Sequence, residues 1–203
     1  MTGRGSPMSS PMPSERRPDH PVDPLFVRRW SPRAMSGEPV SAAELMSLLE
    51  AARWAPSSFN GQPWRFLYAR RDTPGWPTFV GLMSEGNRRW ASKAGALIVV
   101  VSRTLFEHNG QPSRTHSFDT GAAWANLALQ GTIMGLAVHG MQGFDYDRAR
   151  TELRVPAEFD VEAMIAVGRR GKVEELPEAL RDREKPSGRK PVSEISLEGG
   201  FPA

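Results

Sequence analysis

The stretch Ala55-Pro56-Ser57-Ser58-Phe59-Asn60-Gly61-Gln62-Pro63-Trp64 sets two hydroxyls, two carboxamides and a glycine between two prolines. Proline fixes its own φ and restricts the residue before it, so the segment reads as a rigid loop crowded with neutral hydrogen-bonding groups. Its flanks place it between a helix and a strand. Upstream, Ser41 and Glu44 have capping-box spacing ahead of Leu45, Leu48, Leu49 and Ala52, which predicts a helix to about Trp54 that stops before Pro56. Downstream, Trp64–Ala69 reads as a strand. Farther on, Leu97–Ser102 is a near-continuous apolar run, the pattern of a central strand covered on both faces.

The remaining elements follow from the same signals. Asp23–Trp30 reads as a short helix closed off by Pro32, and Pro77–Met83 as another. Arg103–Phe118 is polar and aperiodic, a long loop of the kind that is functional or mobile. Asp119 is positioned to cap a helix to about Leu136 that is apolar almost all round and therefore buried. Its small residues Gly121, Ala125, Ala128, Gly131 and Gly135 open it to close approach by another helix. Ala137–Met141 and Glu162–Gly168 read as strands, with a helix capped by Asp145 and running to Leu153 between them. Beyond Gly171 the chain is charged and proline-punctuated, with a helical signal only over Glu174–Asp182. Residues 1–22 are rich in Pro, Ser, Gly and Arg and poor in large apolar groups, which predicts a disordered tail. Residues 196–203 form a second tail. No internal repeat and no strict strand–helix alternation is present, so an α+β fold of three layers around one sheet is expected.

Composition narrows the function. The 203 residues carry 26 Lys+Arg against 23 Asp+Glu, a net charge of +3, with the two signs interspersed. No basic run suggests a nucleic-acid surface. The absence of cysteine excludes disulfides, thiolate catalysis and Cys-ligated metal. The four histidines show no metal-ligand spacing, so no metal is expected. The longest apolar run, Ala94–Val101, is far short of the ~20 residues of a membrane span, and no apolar signal segment opens the chain. A cytoplasmic protein without membrane or nucleic-acid partners is the expectation.

Four constellations carry chemistry. Arg28-Arg29-Trp30-Ser31-Pro32-Arg33 crowds three guanidiniums and a hydroxyl into one turn, a composition suited to phosphate oxygens; alone, it reads at least as well as a solvated basic turn. Ala55–Trp64 suits the donor–acceptor edge of a heteroaromatic ring or, equally, a self-satisfied connection. His139-Gly140-Met141-Gln142-Gly143-Phe144-Asp145 ends a strand with glycines that let a ligand approach the backbone, which a plain turn would also explain. Gly188-Arg189-Lys190-Pro191-Val192 is by itself one more basic loop.

In this order and at these separations, the four resemble the FMN-dependent nitroreductase family. Arg29-Trp30-Ser31-Pro32-Arg33 resembles that family's Arg-x-Ser-x-Arg motif. Ala55–Trp64 resembles its Ala-Pro-Ser-Ser-x-Asn-x-Gln-Pro-Trp motif, the most specific of the signals. Asp119-Thr120-Gly121-Ala122-Ala123 with the following Ala/Leu-rich stretch resembles its central helix, Gly140–Asp145 its flavin-facing segment, and Arg189-Lys190-Pro191 its C-terminal Arg-x-Pro. The resemblance spans about Asp23 to Ile195.

It implies an α+β, three-layer α/β/α fold with a central mixed sheet, assembled as a homodimer with FMN at the interface. Residues 23–195 would be the FMN-binding domain, with 171–195 an arm over the partner subunit. The cofactor-binding positions it implies are Arg29, Trp30, Ser31, Arg33, Pro56, Ser57, Ser58, Asn60, Gln62, Asn87, Gln142, Gly143 and Arg189. Trp30 stands where Arg or His is common, and Ser57, Ser58, Asn60 and Gln62 match a loop supplied in part by the partner subunit. The implied activity is ping-pong hydride transfer from NADH or NADPH to a small-molecule acceptor such as a nitroaromatic or quinone. No side chain acts as catalytic acid or base. Dehalogenating and flavin-processing branches of the family, or a non-catalytic flavin-binding role, are the alternatives. His108, His116 and Phe118 fall in the long loop, as lid residues or as solvated ones.

Overall fold

The computed structural model describes residues 16–201. Four strands, β1 (Trp64–Arg70), β2 (Ala96–Arg103), β3 (Ala137–Met141) and β4 (Phe159–Gly168), form one sheet in the order β1-β2-β4-β3. Every neighbouring pair is antiparallel. The expected mixed sheet is therefore corrected to an antiparallel one among the described residues. The buried apolar run of β2 is the expected strand covered on both faces, and helices on both faces produce that pattern in an antiparallel sheet as well.

Alternation along β2 serves two cores. Ala96, Ile98 and Val100 join Ile165, Val167 and Val138 under α2 (Ala42–Arg53) and α5 (His116–Ile133). Leu97, Val99 and Val101 join Met164, Ala166 and Met141 under α3 (Trp76–Leu82), α4 (Glu85–Ala91) and α6 (Tyr146–Glu152). All of these side chains are fully or nearly fully buried, which yields the three-layer α/β/α arrangement.

Local chemistry sets the helix ends. Ser41 and Glu44 form the reciprocal capping box of α2, Ser41 N–H donating to Glu44 Oε2 at 2.9 Å and Glu44 N–H to Ser41 Oγ at 3.2 Å. Asp145 Oδ1 caps α6 by accepting from Arg148 N–H at 2.9 Å. α5 closes in a Schellman motif: Gly135 takes φ +71°, and Leu136 N–H returns to Gly131 O at 2.8 Å. Helix α1 (Pro24–Arg28) is shorter than expected. α5 starts at His116, ahead of the expected cap Asp119, and β4 starts three residues before Glu162. α4 and the single-turn α8 (Val192–Ile195) have no clear apolar period and were not foreseen. α7 (Glu178–Arg181) lies inside the weak helical signal.

The first described segment is tied to the C-terminal one. Of the expected disordered tail, residues 1–15 lie outside the described residues. Residues 16–22 are described, and there Arg16 is buried and Asp19 Oδ2 accepts from Val192 N–H at 2.8 Å. Ser196–Phe201 are exposed, and residues 202–203 lie outside the described residues. No described helix is long and apolar enough to cross a membrane.

Candidate functional site

The turn after α1 and the segment after α7 meet at a cationic pocket of about 370 Å³. Arg29, Arg33, Arg183, Lys185 and Arg189 line it with Trp30, Ser31 and His139, and no carboxylate does. Among the described residues none of these five cations forms a salt bridge, whereas Arg53, Arg65, Arg89, Arg103, Arg148, Arg150 and Arg169 all pair with acids elsewhere. Burial, then the charge of Arg189, holds Arg29 below the ordinary arginine value. Burial, then Arg183, does the same to Arg33, against a smaller opposing effect of Glu184. Two half-buried arginines beside three exposed cations, none of them salt-bridged among the described residues, make this pocket a candidate anion site.

Glu184 is what holds this turn in place. Its buried carboxylate accepts from Arg33 N–H at 3.0 and 2.9 Å and from Ala34 N–H at 2.9 Å. It binds backbone, so the Arg33 side chain is left for the pocket. Arg170 stacks over the Trp30 ring, 4.5 Å from its centroid. His139 packs against Trp90 at 4.6 Å between ring centroids and donates from Nδ1 to Pro32 O at 3.1 Å. Burial outweighs these bonds and lowers its basicity, so it is a neutral donor near neutral pH.

Arg29 and Ser31, 3.3 Å apart from Nη1 to Oγ, also line a second space: a groove of about 700 Å³ between α1, α5, β3 and β4. Its walls are mostly apolar, with Phe26, Trp124, Ala128 and Ile165, and Gln142 lies at its β3 end. Groove and pocket therefore adjoin at Arg29 and Ser31, the one mostly apolar and the other cationic. A Cβ at Gly140 would lie 3.1 Å from the Trp124 ring, so any side chain here would have to displace that ring slightly.

The turn after β3 is held by neighbours. Asn87 Nδ2 and Ser84 N–H both donate to Gly143 O at 3.0 Å. A Cβ at Gly143 would meet Asn87 Nδ2 at 2.7 Å, so a side chain here would push the Asn87 amide off the turn. Asn87 Oδ1 accepts from Trp90 Nε1 at 3.3 Å. Asn87 thus spends its amide on the turn that presents Gln142 and Gly143, and it lines neither space.

At the other end of the groove, the register between β2 and β4 shifts at Val100/Val101, leaving Glu162 as the extra residue of a bulge. Its Oε1 accepts from both Ser102 Oγ and Ser117 Oγ. Ser102 Oγ lies 2.7 Å from His116 Nδ1. With the Ser102 proton given to Glu162, His116 Nδ1 is the donor of that bond. His116 is therefore anchored at the start of α5 instead of standing in a lid, and sequence order alone gave no sign of this cluster.

The loop 55–64 does not reach this site within one chain. Pro56, Ser57, Ser58, Asn60 and Gln62 line neither groove nor pocket. Ser58 N–H donates to the buried Asp119 Oδ2 at 3.0 Å, so the residue expected as a helix cap instead pins the loop. Gln62 N–H donates to Ser57 Oγ at 3.0 Å. Phe59, Asn60 and Gln62 take φ of 52°, 53° and 45°, a left-handed conformation that costs non-glycine residues roughly 1–2 kcal/mol each. Phe59 is thrust outward, 83% exposed, against Phe106 and His108 at its edge. Strain of this kind persists where a loop's shape is required.

Comparison with known proteins accords with this architecture. The model of the nitroreductase family matches residues 27–74 and 72–169. A solved structure described as an oxidoreductase containing FMN is 45% identical to the chain, covers 96% of it and 99% of itself, and superposes with a TM-score of 0.89. A Desulfovibrio desulfuricans protein described as a nitroreductase in complex with FMN is 28% identical, covering 91% and 99%, with a TM-score of 0.68. A Streptomyces coelicolor relative, whose name refers to NADH dehydrogenase and NAD(P)H nitroreductase activity, is 29% identical over 68% of the chain and 76% of its own length. The chain belongs to the nitroreductase family, and its α+β fold is that of the family's solved members. It is a nitroreductase-like oxidoreductase.

Proposed function

We propose that the chain is an FMN-dependent NAD(P)H oxidoreductase that reduces quinone-like or nitroaromatic acceptors by a ping-pong mechanism. One observation carries this reading: the five-cation pocket without a carboxylate opens, through Arg29 and Ser31, onto an apolar groove. That layout suits a flat ring bearing a phosphate on a short polar linker. Arg29, Arg33, Arg183, Lys185 and Arg189 would hold the phosphate. The backbone at Gln142 and Gly143, fixed by Asn87, would face one edge of the ring. When bound, FMN supplies the hydride chemistry. The protein's part is to exclude water with the groove walls and to stabilise negative charge near the ring with Arg29 and backbone donors.

The homodimer belongs to this reading. α5 turns a strip of Gly121 and Ala125 outward between exposed Phe118 and Ile133, with Phe26 of α1 exposed as well. A second copy seated there would bring its own Ser57–Gln62 loop to the groove, which explains why the loop is pre-shaped yet outside the one-chain site. Residues 171–195 would extend across that partner.

A visible absorption spectrum of the purified protein, followed by heat release and chromatography, tests the cofactor. A yellow protein releasing about one FMN per subunit, and oxidising NADH or NADPH only with a quinone present, is the expected result. A colourless protein that takes up no added FMN overturns the reading. One that binds FMN but turns over neither nucleotide is a flavin carrier.

A further inference from the structure

Arg16 stands upstream of the family-matched region, which begins at residue 27, yet it is only 8% exposed. Its Nη2 donates to Arg29 O at 3.1 Å. Three residues later, Asp19 Oδ2 accepts from Val192 N–H and ties the N-terminal segment to the first residue of α8. Arg16 and Arg189 line a common cavity of about 590 Å³, and Arg189 and Arg29 line the cationic pocket. Three arginines are thus neighbours where the first described segment meets the C-terminal one. Among the described residues none of the three forms a salt bridge.

Electrostatics point the same way. Burial, then Arg189, then Arg29, all act against the charge of Arg16. An arginine does not escape by losing its proton. One carbonyl bond occupies one of its five N–H donors and neutralises nothing. What completes such a cluster is an anion with several oxygens, which guanidinium forks bind bidentately.

We propose that Arg16, from the adjoining cavity that it and Asp19 line with Arg189, is a further ligand for a terminal phosphate monoester held at the Arg189 side of the cationic pocket, carried in by residues 16–22 as a strap that Asp19 fastens to α8. The inference rests on the FMN reading above. FMN carries such a group, and so does NADPH in its 2′-phosphate; riboflavin and NADH are the same molecules without it.

The test titrates the flavin-free full-length chain with FMN and with riboflavin, following flavin fluorescence, and compares NADPH with NADH as donors. Arg16→Ala is expected to weaken FMN roughly ten- to hundredfold, the range of a hydrogen bond to a charged group, with riboflavin unchanged. Arg16→Lys keeps the charge and should recover most of the preference. Asp19→Ala, which frees the strap without touching Arg16, should lose part of it. A loss confined to NADPH over NADH, with FMN intact, also supports a phosphate ligand but assigns it to the donor. Equal weakening of the phosphorylated and unphosphorylated forms, or no change in either pair, overturns the proposal. Arg189→Ala separates the two levels. If it abolishes the preference for FMN over riboflavin while Arg16→Ala does not, the strap alone fails. If Arg189→Ala leaves the preference intact as well, the FMN reading fails with it. Thermal melts of each variant guard against unfolding, and Arg16→Lys carries the test if Arg16→Ala is unstable.

Discussion

His139 shows how a single side chain reports the state of the pocket. Its ordinary value of 6.5 is lowered by burial against Trp90, partly opposed by its bonds to the turn's carbonyls. A histidine depressed in the fold binds its proton more readily in the unfolded chain. Its contribution to stability is complete above about pH 6.5 and is lost as pH falls from there toward the folded value. Melting temperature should therefore fall between pH 7 and pH 5 more steeply in the wild type than in His139→Gln, which keeps a donor for Pro32 O but cannot charge. Parallel profiles would show that His139 is not the titrating group. At this scale Arg29, Ser31, Arg33 and Arg189 were marked by the family resemblance, since alone their stretches read as basic turns or loops. Arg183, Lys185 and Arg16 were not legible. A charged loop residue gives no local sign of whether it faces water or converges on other cations, and only the fold brings residues 16, 29 and 183–189 together.

Among the elements, α5 contains two glycines with opposite duties. Gly131 faces inward, where a Cβ would lie 2.3 Å from Val138 Cγ2. Gly131→Ala should force the helix off the sheet and destabilise the fold by about 1–3 kcal/mol, measured by chemical denaturation. Gly121 faces outward with nothing within 4 Å of an added Cβ. Gly121→Phe should leave the subunit folded but disrupt self-association, read by size-exclusion chromatography with light scattering. An unchanged elution volume would remove α5 from the interface. From sequence, both were simply small residues in an apolar helix. Which face each occupies depends on packing against β3, and composition cannot supply that. Strand existence was clearer: the apolar runs of β1 to β4 were all visible. What the runs could not convey was direction, since a strand buried on both faces looks alike in parallel and antiparallel sheets. Nor could sequence show the bulge that turns Glu162 toward Ser102 and Ser117.

For the molecule as a whole, the decisive contact is the Glu184 carboxylate on the Arg33 and Ala34 amides, bridging 151 residues of chain. Glu184→Ala would strand two backbone donors and release the segment that carries Arg183, Lys185 and Arg189. A loss of roughly 2–4 kcal/mol in urea unfolding is expected, together with weaker FMN binding. Glu184→Gln, which can still accept through its amide oxygen, should fall between. Loss of flavin binding without loss of stability would mean that the arm is held elsewhere.

That long-range clasp also sets an order of events during biosynthesis. Arg29 and Arg33 leave the ribosome early, yet the cations that complete their pocket are translated after every strand of the sheet. A growing polypeptide can assemble the layered body and still have no place for a phosphate. On the FMN reading proposed above, the phosphate site would be completed only after the sheet, and products truncated before Arg183 would lack three of the five cations that line it.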